Sequence, residues 1–460
     1  MSVSRLTNPL SGWLARWRPV LPLFLGETIV WTGFGALLPV LPLFYTEQGV
    51  DLATLGLVVA AWPAARLIGE PVFGWIADRT ARVPLMVGSL VATGVFVALP
   101  LAVHGSVEFL VLRALAGLAT AAYDPAARGL LKDATPPERQ GEAFGLYGSV
   151  QMTGLLFGPA IGGLGAAAFG SIGFVFVFGG IASVLAAIAV AAGVRDLPRH
   201  GAVPALPATG LADFQRDVPR LRESAGTDRQ GAAADRPEGP DRSSQRVADP
   251  AAAALPARLA NRLLIAALIA NIGGYFGGGT YEVVWSLFLT AKGAGIGFIG
   301  LTFMMFSVPI LVIGPWVGRL VDRHGSLVFL VAGSIAIAAA APTYTLIQDP
   351  VWVLPLLVVE ACGFAFINPA LYAIVSRASP PGRSSTAQGL FGAAGTLGFV
   401  VASVVSGALA VIDIRWPFYL LSAVVLGSLG LALAIGWREI VAGTPGDARV
   451  VAPGEPVQTI

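Results

Sequence analysis

The sequence predicts an all-α membrane protein in which twelve transmembrane helices form two pseudo-symmetric six-helix bundles. Three observations predict it: an apolar composition, twelve apolar runs of spanning length, and an internal repeat at one fixed offset. Of the 460 residues, 55% are hydrophobic and 12% charged, where a soluble domain carries about 25% charged residues. Mean hydropathy is +0.75. With 57 Gly and 33 Pro the chain is no coiled coil, whereas both residues are common in membrane helices, whose neighbours satisfy freed backbone groups. A net charge of +2 is too mild to suggest a nucleic-acid partner. The single cysteine, Cys362, excludes an intrachain disulfide.

Each span needs about 20 mostly apolar residues to cross about 30 Å of hydrocarbon. The runs lie at Pro19 to Leu43, Leu52 to Ala77, Val83 to Val103, Glu108 to Arg128, Ala143 to Phe169 and Ile172 to Val194. After a break they continue at Leu263 to Leu289, Ile296 to Leu320, Leu327 to Ile347, Val351 to Val375, Ala387 to Val411 and Trp416 to Trp437. The layout is therefore a tail (1–18), a first bundle (19–195), a linker (196–260), a second bundle (261–437) and a second tail (438–460). Cytoplasmic loops of membrane proteins are enriched in Lys and Arg. With both termini inside, 25 of the 29 Lys and Arg fall on the cytoplasmic side, which predicts an inner (plasma) membrane protein with both ends in the cytoplasm. The basic start precedes a span too long for a signal-peptide core, so it reads as retained. The linker, rich in Pro, Gly, Asp, Arg and Ser, cannot bury enough apolar surface to offset its ordering entropy and reads as disordered.

A shift of 244 residues aligns the two bundles without a gap. Gly49, Gly56, Pro71, Gly74 and Asp78-Arg79 fall on Gly293, Gly300, Pro315, Gly318 and Asp322-Arg323, and 12 of the 40 positions from Asp124 to Gly163 are identical to their counterparts. Parallel six-span repeats related by an axis along the membrane normal place a substrate site at the repeat interface, near the bilayer midplane.

Gly74-Trp75-Ile76-Ala77-Asp78-Arg79, followed by Arg82, resembles the loop motif of the major facilitator superfamily, and the second half repeats it as Gly318 to Asp322-Arg323. The resemblance covers the chain apart from tails and linker. It implies that Asp78, Arg82 and Asp133 form a cytoplasmic charge cluster latching the outward-facing state, wired differently in the second half, where Asp133 becomes Arg377. Arg113-Ala114-Leu115-Ala116-Gly117 is similar to the family's second motif, whose buried arginine is tied to proton coupling. In span 5, Gly145, Gly154, Gly158-Pro159 and Gly162-Gly163 fit the pattern of the antiporter branch. Glycines four apart line one helix face and permit tight packing, and Pro159 is expected to bend the helix. In the duplicate, Gly158-Pro159 is Ala402-Ser403 and Gly162 is Ser406.

A charge in hydrocarbon costs at least about 2.5 kcal/mol, so ionisable residues within spans should face the bundle interior. Glu27 in span 1 has Asn271 as its counterpart, and Trp31 has Tyr275. Apolar surroundings penalise a charged carboxyl, which suits reversible protonation; a glutamate bonded to backbone at a kink is the competing reading. Arg66 and Glu70, four apart on one face, read as a self-contained ion pair in preference to a substrate contact. Arg113 stands about 15 Å from Glu27 along the normal on straight helices. Glu360, with Asn368 and Tyr372 below it, and Glu282 are each open to three readings: proton site, cation recognition or interhelical bonding. Gln151 on span 5 is a further cavity candidate.

No phosphate-binding loop accompanies Lys132 or Lys292, and His104, His200 and His324 occupy separate loops. Neither a nucleotide-driven pump nor an enzyme with a catalytic or metal centre is expected, and no cofactor. The sequence reading is a proton-coupled exporter of small amphipathic organic compounds, working as a monomer in the lipid bilayer with a small-molecule substrate and protons as partners. The alternative is a uniporter or proton symporter of a polar metabolite such as a sugar or organic acid.

Overall fold

The computed structural model describes residues 17–18, 20–136, 139–196, 261–379 and 384–441. Of the disordered linker expected at 196–260, all but residue 196 lies outside the described residues, as do most of both tails. The helices are α1a (Leu21–Leu37), α1b (Leu41–Glu47), α2 (Leu52–Ala77), α3 (Arg82–Ala98), α4 (Ser106–Ala134), α5 (Gln140–Phe169) and α6 (Gly173–Gly193). They continue as α7 (Arg262–Ala291), α8 (Ile296–His324), α9 (Ser326–Leu346), α10 (Val353–Ala378), α11 (Ser384–Ala410) and α12 (Trp416–Val441). Eleven of these are long and apolar enough to cross a membrane, and α1a with α1b makes the twelfth span. Several helices outrun their apolar stretches. In α4 the helix continues through Lys132 and Asp133, because helical hydrogen bonding does not stop where hydropathy does.

The first span is broken, bending by 46° between α1a and α1b. Pro39 has no amide to continue the helical ladder, and the amides on either side, of Leu38 and Val40, bond back three residues to Gly35 O and Leu37 O, while Pro42 sits in the first turn of α1b, where no amide is needed. Their counterparts are Val283 and Ser286, and α7 runs unbroken. Pro159 lies inside α5, which continues as one α-helix to Phe169. The repeat is otherwise kept down to single hydrogen bonds. After α1b, Gly49 (φ 83°) closes the turn with its own amide on Thr46 O and the Val50 amide on Tyr45 O; after α7, Gly293 (φ 84°) does so with Thr290 O and Leu289 O for the Ala294 amide. Both turns need a positive φ, which glycine adopts without steric cost.

Within each half the helices pair alike: α1a with α5 and α6 as α7 with α11 and α12, and α2 with α4 as α8 with α10. Between the halves, α2 packs on α11 and α5 on α8. Both seams are closed by glycine. A Cβ on Gly56 would stand 2.5 Å from Ser403 O, and one on Gly300 2.4 Å from Pro159 O. A Cβ on Gly163 would stand 2.8 Å from Gly300 Cα, and one on Gly407 2.8 Å from Gly56 Cα. These four glycines, like Pro159 and Ser403, are related by the 244 offset, so the seams are copies of each other.

We call the end bearing Asp78, Arg82 and Asp322 the basic end. The seams lie toward the other end, as do Phe44, Leu55 and Phe176, through which the first half joins the apolar core of the second. At the basic end the first half has its own core, around Phe24, Met86 and Leu131, with no second-half member. Side chains built at Gly145, Gly148, Gly314, Gly318, Gly389 or Gly392 would meet nothing within 4 Å. The halves thus touch at one end and part toward the basic end.

Backbone contact at the seam leaves no room for a side chain. Gly56→Leu or Gly300→Leu should hold that end open, lengthening the distance between spin labels on Glu47→Cys and Ala291→Cys, two exposed mirror positions. An unchanged distance distribution in both variants would show that glycine does not set the closure.

Candidate functional site

Glu27 on α1a is completely buried. One carboxylate oxygen accepts Trp31 Nε1 at 2.8 Å and Gln151 Nε2 at 2.6 Å; the other accepts the Tyr123 hydroxyl at 2.7 Å. Trp31 is one turn along the same helix, Tyr123 comes from α4 and Gln151 from α5. Among the described residues no cation lies within ion-pair distance of it. The competing reading, a carboxyl bonded to backbone at a kink, does not describe this arrangement, because all three donors are side chains.

Beside it Arg66 donates to Glu70 (2.6 and 3.0 Å) and to Asp124. The pair is therefore not self-contained, as its spacing suggested. The arginine ties α2 to α4, stacks 4.7 Å over Trp62, and shares Asp124 with Arg128 at 3.8 Å. Arg113 pairs with Glu282 at 2.6 Å, both buried, joining α4 of the first half to α7 of the second. Its Nε atom is buried without a hydrogen-bond partner. The counterparts of this ion pair are Leu357 and Leu38, so the repeat carries it once. A small cavity of about 50 Å³ inside the first half lies between the two clusters, lined by Asp124, Thr120 and Arg113 of α4 together with Trp31, Phe34 and Trp62.

In the second half Glu360 is buried and accepts the hydroxyls of Tyr281 (2.5 Å) and Tyr344 (2.7 Å). Asn271 is buried and donates to Phe391 O at 2.7 Å, which bonds α7 to α11. Tyr275 is exposed, and Asn368 is half-buried with no side-chain hydrogen bond among the described residues. Tyr123, Tyr281 and Tyr344 escaped the sequence reading, which screened spans for charges and amides; a search for buried tyrosines near acids would have found Tyr123, next to Asp124.

At the basic end Arg82 binds Asp133 at 2.5 Å and lies 3.9 Å from Asp78. Its amide donates at 2.9 Å to Asp196, an anchor that the sequence reading placed in the linker. Gly74 faces Pro125 of α4, and Arg79 stacks 4.0 Å over Trp75. These contacts stay within the first half. Gly318 faces open space, and Asp322 and Arg323 make no ion pair among the described residues; Arg377 reaches Ser326 at 3.5 Å. In α5 the glycines divide by face. Gly154, Gly158 and Gly162 lie against the backbone of α1a from Trp31 to Ala36, Gly163 faces α8, and Gly145 is open. In the second half hydroxyls take over: Ser403 donates to Phe399 O (3.0 Å) and Gly279 O (3.4 Å), and Ser406 to Thr280 at 3.0 Å.

A model of the Major Facilitator Superfamily matches residues 23–281 and 267–450, nearly the whole chain. The chain belongs to the major facilitator superfamily. Among its relatives, the quinolone resistance protein NorA of Staphylococcus aureus is 26% identical over 171 residues, 37% of this chain and 44% of NorA. The multidrug resistance protein MdtG of Yersinia enterocolitica is 32% identical over 146 residues, 31% of this chain and 35% of MdtG. The match thus spans less than half the length of either relative. The crystal structure of a bacterial homolog to the human lysosomal transporter Spinster, inward-facing and unoccupied, superposes with a TM-score of 0.68 at 14% identity, covering 95% of this chain and 99% of that one. The nucleoside transporter NupG gives 0.68 at 13% identity, over 90% and 99%. At such identities the likeness carries the fold.

In this facilitator fold a buried ion pair spans the halves where the mirror positions hold leucine. Removing one partner strands a buried charge, at a cost of about 3–5 kcal/mol, whereas replacing both with apolar residues can be neutral. Arg113→Leu and Glu282→Leu should each lower the thermal midpoint in detergent, and the double variant should recover most of the loss. A double variant as unstable as the singles would refute the pairing.

Proposed function

We propose that this superfamily member is a secondary transporter that exports small amphipathic organic compounds in exchange for protons, by alternating access. The observation that carries the reading is Glu27, a buried acid held only by neutral donors. An acid bound to arginine is committed to its charge, while one bound to Trp, Tyr and Gln can gain or lose a proton without stranding a partner cation. The likeness to NorA and MdtG, named as quinolone and multidrug resistance proteins, supports the choice of cargo. The basic end, placed in the cytoplasm by its Arg and Lys, makes the open gap inward-facing. Glycine packing of α5 on α1a supports the antiporter reading of that motif. The protein acts as a monomer in the inner membrane.

The energetics suffice with one proton. About 2.3 kcal/mol from 100 mV and about 1.4 from one pH unit sum to about 3.7 kcal/mol, or several-hundred-fold accumulation.

Glu360, held by two tyrosines, is a second acid of the same kind and sets the control. In proteoliposomes with an imposed pH gradient, the protein should move ethidium against its concentration gradient. Glu27→Gln should abolish the uphill movement and spare downhill exchange, while Glu360→Gln retains coupling. Coupling that survives Glu27→Gln and is lost in Glu360→Gln would move the proton site to the second half.

A further inference from the structure

The acid at position 27 and its surroundings changed together between the two halves. Glu27 and Trp31 of α1a, Tyr123 of α4, and Tyr147 and Gln151 of α5 have Asn271, Tyr275, Ile367, Phe391 and Gly395 as counterparts. The half without the acid therefore also lacks the Tyr123 hydroxyl, the Tyr147 hydroxyl and the Gln151 amide, and its Asn271 bonds to backbone instead, at Phe391 O. Two of these three donors are in use, since Tyr123 and Gln151 bond to Glu27. The third is idle. Tyr147 is 4% exposed, and its hydroxyl is buried without a hydrogen-bond partner among the described residues. The charged groups that act on it are Glu27, Asp124 and Arg128. A buried hydroxyl without a partner has lost its bonds to water and gained none, a loss that phenylalanine, the residue of the second half, avoids. The hydroxyl is explained by an arrangement other than this one.

Its position indicates which. Tyr147 stands four residues before Gln151, on the face of α5 that continues through Gly154, Gly158 and Gly162 onto α1a. The two side chains thus come to the acid from one helix, a turn apart. The same helix carries a seam between the halves, with Gly163 and the Pro159 carbonyl against Gly300 of α8, whereas α1a pairs with α5 and α6. Parting that seam would displace α5 directly and α1a only through it. The side-chain bond in the way is Gln151 to Glu27, and a buried carboxylate that lost this donor would be left short of one.

We propose that Tyr147 is a reserve hydrogen-bond donor to Glu27. With the basic end open, as here, Gln151 holds the carboxylate and the Tyr147 hydroxyl is idle; with the seam end open, Gln151 withdraws and Tyr147 takes its place. The acid is then held by neutral donors in both conformations. The exchange rests on the alternating-access reading for its second conformation, and on neither the proton nor the cargo.

Two substitutions separate the donors. In the purified full chain with Cys362→Ala, spin labels on Glu47→Cys and Ala291→Cys report the seam end, short when it is closed and long when it is open. Gln151→Leu removes the donor in use, so the thermal midpoint should fall and the long-distance fraction should rise about fivefold or more. Tyr147→Phe removes the idle one, so the midpoint should hold or rise and the long-distance fraction should fall. Added to Gln151→Leu, it should reverse the gain, a change that is measurable even where the unsubstituted chain shows the short distance alone. A midpoint lowered by Tyr147→Phe would mean that the hydroxyl is already bonded in this conformation, to ordered water or to Glu27, and would overturn the proposal. No gain from Gln151→Leu, or a gain that Tyr147→Phe leaves untouched, would overturn it as well. Distances that shift in opposite directions, together with proteoliposomes that move no ethidium, would leave the donor exchange standing and defeat the export reading.

Discussion

Contact between bare helix backbones is the constraint on which this molecule is built. In a bilayer there is no hydrophobic gain from bringing helices together, so their packing must be close enough for dispersion to hold them. The 244-residue repeat supplies that closeness twice, through Gly56 against Gly407 and Gly163 against Gly300. The gap at the basic end follows from it: two bodies that touch through two short seams at one end are free to part at the other. A third glycine-lined contact, α5 on α1a, then fixes where Gln151 stands relative to Glu27. Packing and the candidate site are therefore one construction, in which the residues that let the backbones meet also set the reach of the polar side chains.

Onto this symmetric frame the sequence writes an asymmetric charge pattern. Every ionisable group is costly in hydrocarbon, and the first half answers the cost by pairing. Arg66 bridges Glu70 and Asp124, and Arg113 reaches across to Glu282. Glu27 and Glu360 are the exceptions, satisfied by dipolar donors alone. The duplicated halves thus diverged in chemistry while keeping the turn geometry of Gly49 and Gly293 within 1° in φ.

Much of this was legible in the sequence, for reasons that differ from residue to residue. The spans and the repeat were readable because hydropathy and a gapless offset are one-dimensional properties. The broken first span could have been read from Pro39 and Pro42 and was not, since apolar prolines leave a hydropathy run intact. Glu27 and Trp31, four apart, share a helix face, yet nothing in the spacing says that Gln151 meets them, because contact between helices depends on rotation about each axis. For the same reason Arg66 was matched to Glu70, four residues away, and its bond to Asp124, 58 residues away, stayed hidden. The Arg113 to Glu282 pair lay deeper still, since an offset identifies equivalent residues and not neighbours.

The hydroxyls of Ser403 and Ser406 have a mechanical consequence. Where α5 meets α1a through Gly154, Gly158 and Gly162 the contact surface is smooth, and among the described residues the one side-chain hydrogen bond across it is that of Gln151 to Glu27. At the equivalent contact of α11 with α7, two serines and an asparagine pin the helices at Gly279, Thr280 and Phe391, and sliding would break bonds that hydrocarbon cannot replace. One half is jointed and the other is riveted. A slide at these contacts would break the bonds of two serines and an asparagine in the second half, and that of one glutamine, to Glu27, in the first.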